Sequence, residues 1–395
     1  MADIYETALS FRLHAKATIA LFIAVLLAFV AETQITQYLQ TTLQYRQSYF
    51  IFYVVHSCFS FSFPIHLLYV LSTTKHELRP LLKGLRFAIM RQLSPGSRAI
   101  SATKLALLVI GITGFYSAPS LLWFTASPLT SVTDITALWN ANAFFAYIFS
   151  VKLLDMKWGS FRAFAVCLAS LGVVTIVYGG TTASSVQSVT GKREEIMDAA
   201  PFVGDMLALV ASIVYGLYQV LYTKYVALPS DPELIPEFAH YSQVSTSAGP
   251  LADEEISTQD LTAGSVTYPP PFGLYPNLIT ASIGLCTSLV FWIPIPLLHY
   301  YGIEVFRLPS NASTVTAIAG IAASGLIFNA GFMTLLGIWG PIVTSAGNLL
   351  TIVLILISDL IFGTVALSFG GLVGAVMIMG AFGILVYDMC QSSTP

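Results

Sequence analysis

Tyr215, Tyr218, Gln219 and Tyr222 recur at i, i+3, i+4 and i+7 inside an otherwise apolar run, so a helix would carry all four on one face. Phenol rings beside a side-chain amide suit the stacking and hydrogen bonding of a small solute. A second set, Thr344, Asn348 and Thr351, repeats at i, i+4 and i+7. A third places Trp139, Asn142 and Ala146 on a common face, with Asp134 and Asn140 nearby in sequence. Glu32, Thr36 and Gln37 lie in the first apolar run, and Asn329 lies in a later one. Polar groups at membrane depth are costly and usually face a cavity or a neighbouring helix. The candidate solute-binding residues are therefore Glu32, Trp139, Asn142, Tyr215, Tyr218, Gln219, Asn329, Thr344, Asn348 and Thr351.

Each candidate has a competing structural role. Ser, Thr and Asn join transmembrane helices by hydrogen bonds, and Tyr and Trp near helix ends act as interfacial anchors. Glu32 fits the structural role least, because an ionised carboxylate at the centre of a span costs about 2.5–3.5 kcal/mol even on the lenient insertion scale. Asp134, Asp205, Asp359 and Asp388 fall near the ends of apolar runs, where a wet interfacial charge explains them.

Catalytic signatures are missing. The chain has no HExxH, GxSxG or Walker A sequence, and its six histidines form no ligand cluster. Cys58, Cys167, Cys286 and Cys390 form no CxxC pair, which predicts neither a disulfide framework nor a metal site. No enzyme activity, cofactor or nucleic-acid partner is expected. The expected partners are a small-molecule solute and the lipid bilayer.

The elements that must position these residues are membrane helices. Of 395 residues, 56% are hydrophobic and 9% are charged, with a mean hydropathy of +0.77. A soluble domain carries about 25% charged residues, so this surface belongs largely in lipid. Apolar runs long enough to cross fall near 17–38, 48–72, 105–125, 131–153, 160–179, 204–227, 277–301, 314–334, 340–362 and 368–389. The expected fold is all-α and polytopic, with about ten transmembrane helices. Residues 126–130 read as a tight hairpin between the third and fourth spans.

Thirteen of the seventeen Lys and Arg residues would share one side of that arrangement, and Arg46, Lys192, Arg193 and Arg307 the other. The excess of positive charge places both termini in the cytosol. In residues 77–91, Leu78, Leu81, Leu82, Leu85 and Ile89 make one stripe beside Arg79, Lys83 and Arg86, a short basic amphipathic helix suited to an anionic leaflet. Residues 228–275 contain no Lys or Arg, seven acidic residues and Pro269–Pro271, and read as a disordered cytosolic tether.

A shift of about 210 residues brings IGITG (110–114) against AGIAA (319–323), and FAVCLASLGVVTIVY (164–178) against GAVMIMGAFGILVYD (374–388). Chance likeness between apolar segments is the competing account. Five helices per half would make the repeat inverted, the arrangement secondary transporters use around a midplane site. The halves would be 1–179 and 203–390, joined by a non-cytosolic loop at 180–202. Gly370 and Gly374, like Ala165 and Ala169, are spaced to let helices approach closely. Packing within the chain is the favoured reading, with a homodimer face as the alternative.

The stretch TSVTDITALWNANAFFAYIFSVKLL (130–154) resembles the fourth helix of the drug/metabolite transporter superfamily, of EamA type. More narrowly, it is similar to the F group of solute carrier family 35. AETQITQYL (31–39), SYFIFYVVHSCFSFSFPIHLLY (48–69), FWIPIPLLHYYGIEVFRLP (291–309) and GNLLTIVLILISDLIFG (347–363) carry the same resemblance. It implies ten helices in two inverted five-helix halves, cytosolic termini and a eukaryotic endomembrane (vacuole, Golgi or endoplasmic reticulum) in preference to the plasma membrane. Some relatives in that group are associated with thiamine. Two positions depart from the pattern: Val353 stands where the ninth helix often has Pro, and Leu154-Asp155 stands where Gly-Glu often follows the fourth.

A nucleotide-sugar carrier must hold phosphates, for which Lys or Arg is the natural clamp. None lies well inside a span, whereas Glu32 does. The expectation is thus a secondary transporter of a small neutral or cationic organic solute, with a thiamine-like cation as one fit. A nucleotide-sugar-type antiporter, a membrane enzyme and a non-transporting membrane protein are the alternatives.

Overall fold

The computed structural model describes residues 2–74, 77–93, 102–126, 129, 135, 138–156, 159–180, 199–228, 270–361 and 369–392. Most of the acidic connection, most of the loop at 180–202, Asp134 and most of the turn expected at 126–130 lie outside them. Every regular element among the described residues is helical. In lipid that is expected, because a helix satisfies its backbone polar groups within one segment.

Helix α1 runs Ala2–Thr41. α2 (Ser48–Cys58), a 3₁₀ turn (Phe59–Phe61) and α3 (Ser62–Thr73) follow as one apolar rod. α4 (Leu78–Leu93) is the amphipathic segment, with Leu81, Leu85 and Ala88 buried and Arg79, Lys83 and Arg86 exposed. Next come α5 (Ala102–Ala126), α6 (Asn142–Leu153), α7 (Ser160–Gly180) and α8 (Ala199–Tyr225). The last group is α9 (Leu274–Val290), α10 (Pro294–Tyr300), α11 (Ala312–Asn348), α12 (Leu350–Ile361) and α13 (Phe369–Ser392).

Among the described residues six helices are long and apolar enough to cross a membrane, or seven if α9 and α10, bent by 42°, form one span. The protein is a multi-pass membrane protein. Ten crossings were expected from hydropathy, and part of the difference lies in how helices end. Residues 312–358 count as one stretch of 47 residues, yet Gly340 breaks it at φ 72° and ψ 174°, and Pro341 follows. The Thr344 hydroxyl donates to the Leu335 carbonyl at 3.1 Å. Nine residues of straight helix would separate them by about 13 Å, so the chain folds back sharply at Gly340. The helix Ser160–Gly180 is counted only over 160–175, where its side chains are described, and the start of the run at 131–153 lies largely outside the described residues.

Between helices surrounded by lipid, small residues and hydrogen bonds set the contacts, since burial of apolar surface gives little drive there. α7 and α13 are the most extensively packed pair. Gly172 abuts the Gly374 carbonyl, which would sit 2.9 Å from any added Cβ. Gly374 therefore serves packing within the chain. α9 crosses the 3₁₀ turn backbone to backbone, because a Cβ on Gly284 would lie 2.2 Å from the Ser60 nitrogen. α1 lies along the first arm of α11, where Gly325 and Gly331 face Glu32 and Val25, and α8 lies along α5. Cys58, Cys167 and Cys286 are free thiols. Arg162 and Asp388 form an ion pair at 2.6 Å between α7 and α13, so Asp388 has a partner where a solvated interfacial charge was expected.

Candidate functional site

The core cluster that joins α1, α2, α5, α8 and α11 borders a half-open cavity of about 50 Å³. α1 contributes Phe29, Glu32 and Thr33, α2 contributes His56, and α5 contributes Tyr116, Ser120, Trp123 and Phe124. Trp139 just before α6, Tyr215 of α8, and Phe328 and Asn329 of α11 close it. A liquid water occupies about 30 Å³, so this space takes one or two waters and no ring-sized solute.

Its walls are largely aromatic. Trp139 stacks on Tyr215 with centroids 4.8 Å apart, and Tyr215 stacks on Phe332 at 5.8 Å. Tyr116 meets Tyr218 edge-on at 5.1 Å, and Phe29 packs on Phe328 at 4.9 Å. His56 sits between Phe52 and Phe59, 5.3 Å from Tyr116. Helical spacing builds the α5 wall, where Thr113, Tyr116, Ser117, Ser120 and Phe124 follow i, i+3, i+4, i+7 and i+11. Gly325 gives the carboxylate its place: a Cβ there would stand 3.0 Å from Glu32 Oε1.

The polar groups divide by whether they are satisfied. The Tyr116 hydroxyl donates to Asn329 Oδ1, and Asn329 Nδ2 donates to the Gly325 carbonyl at 2.7 Å. The Thr33 hydroxyl donates to Phe29 O at 2.9 Å. His56 Nδ1, Trp139 Nε1 and the Tyr215 hydroxyl are buried with no hydrogen-bond partner among the described residues. Glu32 is half-buried and engages no Lys, Arg or His there. No Lys or Arg lines the cavity. A lone carboxylate among ring faces attracts a cation through charge and through the ring quadrupoles. Buried polar groups without partners are where a ligand's own hydrogen bonds can be made.

Of the residues singled out from sequence, Glu32, Trp139, Tyr215 and Asn329 line this cavity, and Tyr218 packs directly behind Tyr116 and Tyr215. Asn142 and Gln219 lie outside the lining and bond to each other at 3.1 Å, with Asn142 also donating to Trp139 O at 2.7 Å. That pair ties α6 to α8 and holds the Trp139 backbone. Thr344 stabilises the reversal at Gly340, and the Thr351 hydroxyl returns to Asn348 O at 2.6 Å. Asn348 is buried, apart from the cavity, with neither amide atom partnered among the described residues. The cavity draws on the first, fourth, sixth and eighth apolar runs, which carry Glu32, Trp139, Tyr215 and Asn329, and adds the second and third, while no residue of the ninth lines it. His56 and Tyr116 were not singled out. A titratable ring in mid-span and the polar spacing on α5 were the available signals.

No family model matches the chain. A Schizosaccharomyces pombe protein named as an uncharacterized transporter is 22% identical over 298 residues, covering 74% of this chain and 70% of that protein. A solved structure, described only as the crystal structure of a protein, superposes with a TM-score of 0.55. It is 11% identical and covers 95% of this chain and 98% of the other. At that identity the likeness bears on the fold alone.

Proposed function

We propose that this protein is a secondary transporter, and not an enzyme, moving a small neutral or cationic organic solute by alternating access. The observation that carries the reading is Glu32, a half-buried carboxylate in an aromatic cavity with no Lys or Arg in its lining. The fission-yeast relative's naming as a transporter supports the same kind of protein. A thiamine-like heteroaromatic cation matches the cavity's chemistry: its charge meets Glu32, its rings meet Trp139 and Tyr215, and its polar edges meet His56, Asn329 or the Tyr215 hydroxyl. A nucleotide sugar does not match, because its diphosphate would face Glu32 with no cation to hold it.

The cavity is far smaller than the 300 Å³ or so that begins the usual range for ligand pockets. A ring-sized solute therefore fits only when the helices part further. That fits a carrier better than an open pore. The matched pairings of α1 with the first arm of α11, α8 with α5, and α7 with α13 support two inverted five-helix halves, 1–179 and 203–390. The fold-back at Gly340 supplies a break that ten crossings require. In this reading both termini are cytosolic and the protein resides in an endomembrane.

Uptake into proteoliposomes tests it. The full chain should accumulate a labelled heteroaromatic cation saturably above empty vesicles, and it should take up no nucleotide sugar. Nucleotide-sugar exchange without cation uptake would reverse the assignment.

A further inference from the structure

A second cavity, unrelated to the first, opens on the outside of the helix bundle. It measures about 160 Å³ and lies between α5 and α9, with Ile89 of α4 at one end. Leu105, Leu108, Val109 and Ile112 form one wall, and residues 278–283 of α9 form the other. Its one polar lining residue is Ser282, whose hydroxyl is spent on Leu278 O at 2.8 Å. The groove therefore asks nothing of water. Leu107 and Ile110 beside it on α5, and Leu285 and Leu289 beside it on α9, are exposed, as lipid-facing residues are. An apolar cavity of similar size in a soluble protein stays dry and takes benzene, so this one holds a short length of hydrocarbon.

Basic residues line the approach to the groove, with Glu77 at the far end of α4 the one acidic residue there among the described residues. Arg79, Lys83 and Arg86 follow i, i+4 and i+7 on the exposed face of α4, and Ile89 comes one turn after Arg86. Lys104 on α5 immediately precedes the lining residue Leu105 and is exposed. No ion pair engages any of these four among the described residues. Leu81, Leu85 and Ala88 are buried against the main helix cluster, which sets the basic face of α4 outward.

We infer that this groove and its basic border form a binding site for one anionic phospholipid. An acyl chain occupies the groove between α5 and α9, and the headgroup phosphate is met by Arg86 and Lys104, with Arg79 and Lys83 adding to the positive field. A zwitterionic lipid fills the same groove but gains less from the border. The site owes nothing to the solute cavity, and it stands or falls apart from the transport reading.

Native mass spectrometry of the full chain, released from nanodiscs of equal phosphatidylserine and phosphatidylcholine, tests the site. The expected result is one retained phosphatidylserine, favoured at least several-fold over phosphatidylcholine. The R79Q/K83Q/R86Q/K104Q variant should lose the preference while still retaining either lipid weakly. Leu105→Trp and Ser282→Phe, which fill the groove from opposite walls, should lose retention of both; two variants are used so that one poorly folded protein does not decide the matter. Equal retention of the two lipids by the parent protein overturns the proposal. So does unchanged retention in both filled variants, full displacement by soluble glycerophosphoserine, or a lipid-free dimer, which would mean that a second copy covers the groove.

Discussion

Glu32→Gln separates a cationic solute from a neutral one by the size of its effect. Gln has the same heavy-atom shape, so the close fit against Gly325 and the neighbouring Val55 survives. What is lost is one negative charge. A monovalent cation about 4 Å from the carboxylate, at an effective dielectric constant near 20, gains about 4 kcal/mol from it. Since every 1.4 kcal/mol is tenfold in affinity, that loss should raise the transport KM on the order of a thousandfold. For a neutral solute the change replaces a hydrogen bond to a charged group by one to a neutral group, about 1–1.5 kcal/mol, or roughly tenfold. The assay is concentration-dependent uptake into proteoliposomes, normalised to protein that remains monodisperse, with melting temperature as the control for folding. Gly325→Ala provides a graded comparison: its methyl group would crowd Glu32 Oε1 without removing charge, and a smaller rise in KM is expected. If Glu32→Gln leaves KM within twofold of the parent at an unchanged melting temperature, the carboxylate does not meet the solute. The cavity would then lose the observation on which its assignment rests.

Asn142→Ala should leave Gln219 buried with a lost partner and lower stability by about 1–3 kcal/mol, read as a fall in melting temperature, with uptake per folded molecule changed far less. Gly340→Ala should cost about 1–3 kcal/mol, because φ 72° and ψ 174° lie in a region reserved for glycine, while no atom stands near the added methyl group. Tyr45 joins the 42–47 turn to the 302–311 segment by donating to Arg307 O at 2.8 Å. Burial first, and the Glu304 carboxylate second, push its phenol from 10.0 up to about 12. A raised folded-state value means that this contact's stability is complete below pH 10 and is lost as pH rises through 12. A melting-temperature profile over that window should therefore fall more steeply for the parent than for Tyr45→Phe, and parallel profiles would exclude the linkage.

The residues alone determined that this chain lives in a membrane and is built of helices, since a surface with 9% charged residues has no other solvent and lipid allows few backbone solutions. They also marked α4, where Leu81 and Leu85 of the expected stripe are buried while Leu78 and Leu82 stay exposed, and they marked the face holding Tyr215 and Tyr218. Which faces meet was another matter. Asn142 finds Gln219 across 77 residues, and Tyr116 finds Asn329 across 213. In water, an apolar stripe tells a helix which side turns inward. In lipid every side is apolar, so partners are chosen by small residues such as Gly172 and Gly284 and by a few hydrogen bonds whose ends lie far apart in sequence. The runs at 314–334 and 340–362 were legible as separate crossings, yet only the left-handed φ at Gly340 showed how one long apolar stretch turns back on itself. His56 stayed hidden for the same reason. It becomes part of a cavity only because α5 and α11 bring Tyr116 and Asn329 to the same space that α1 reaches with Glu32.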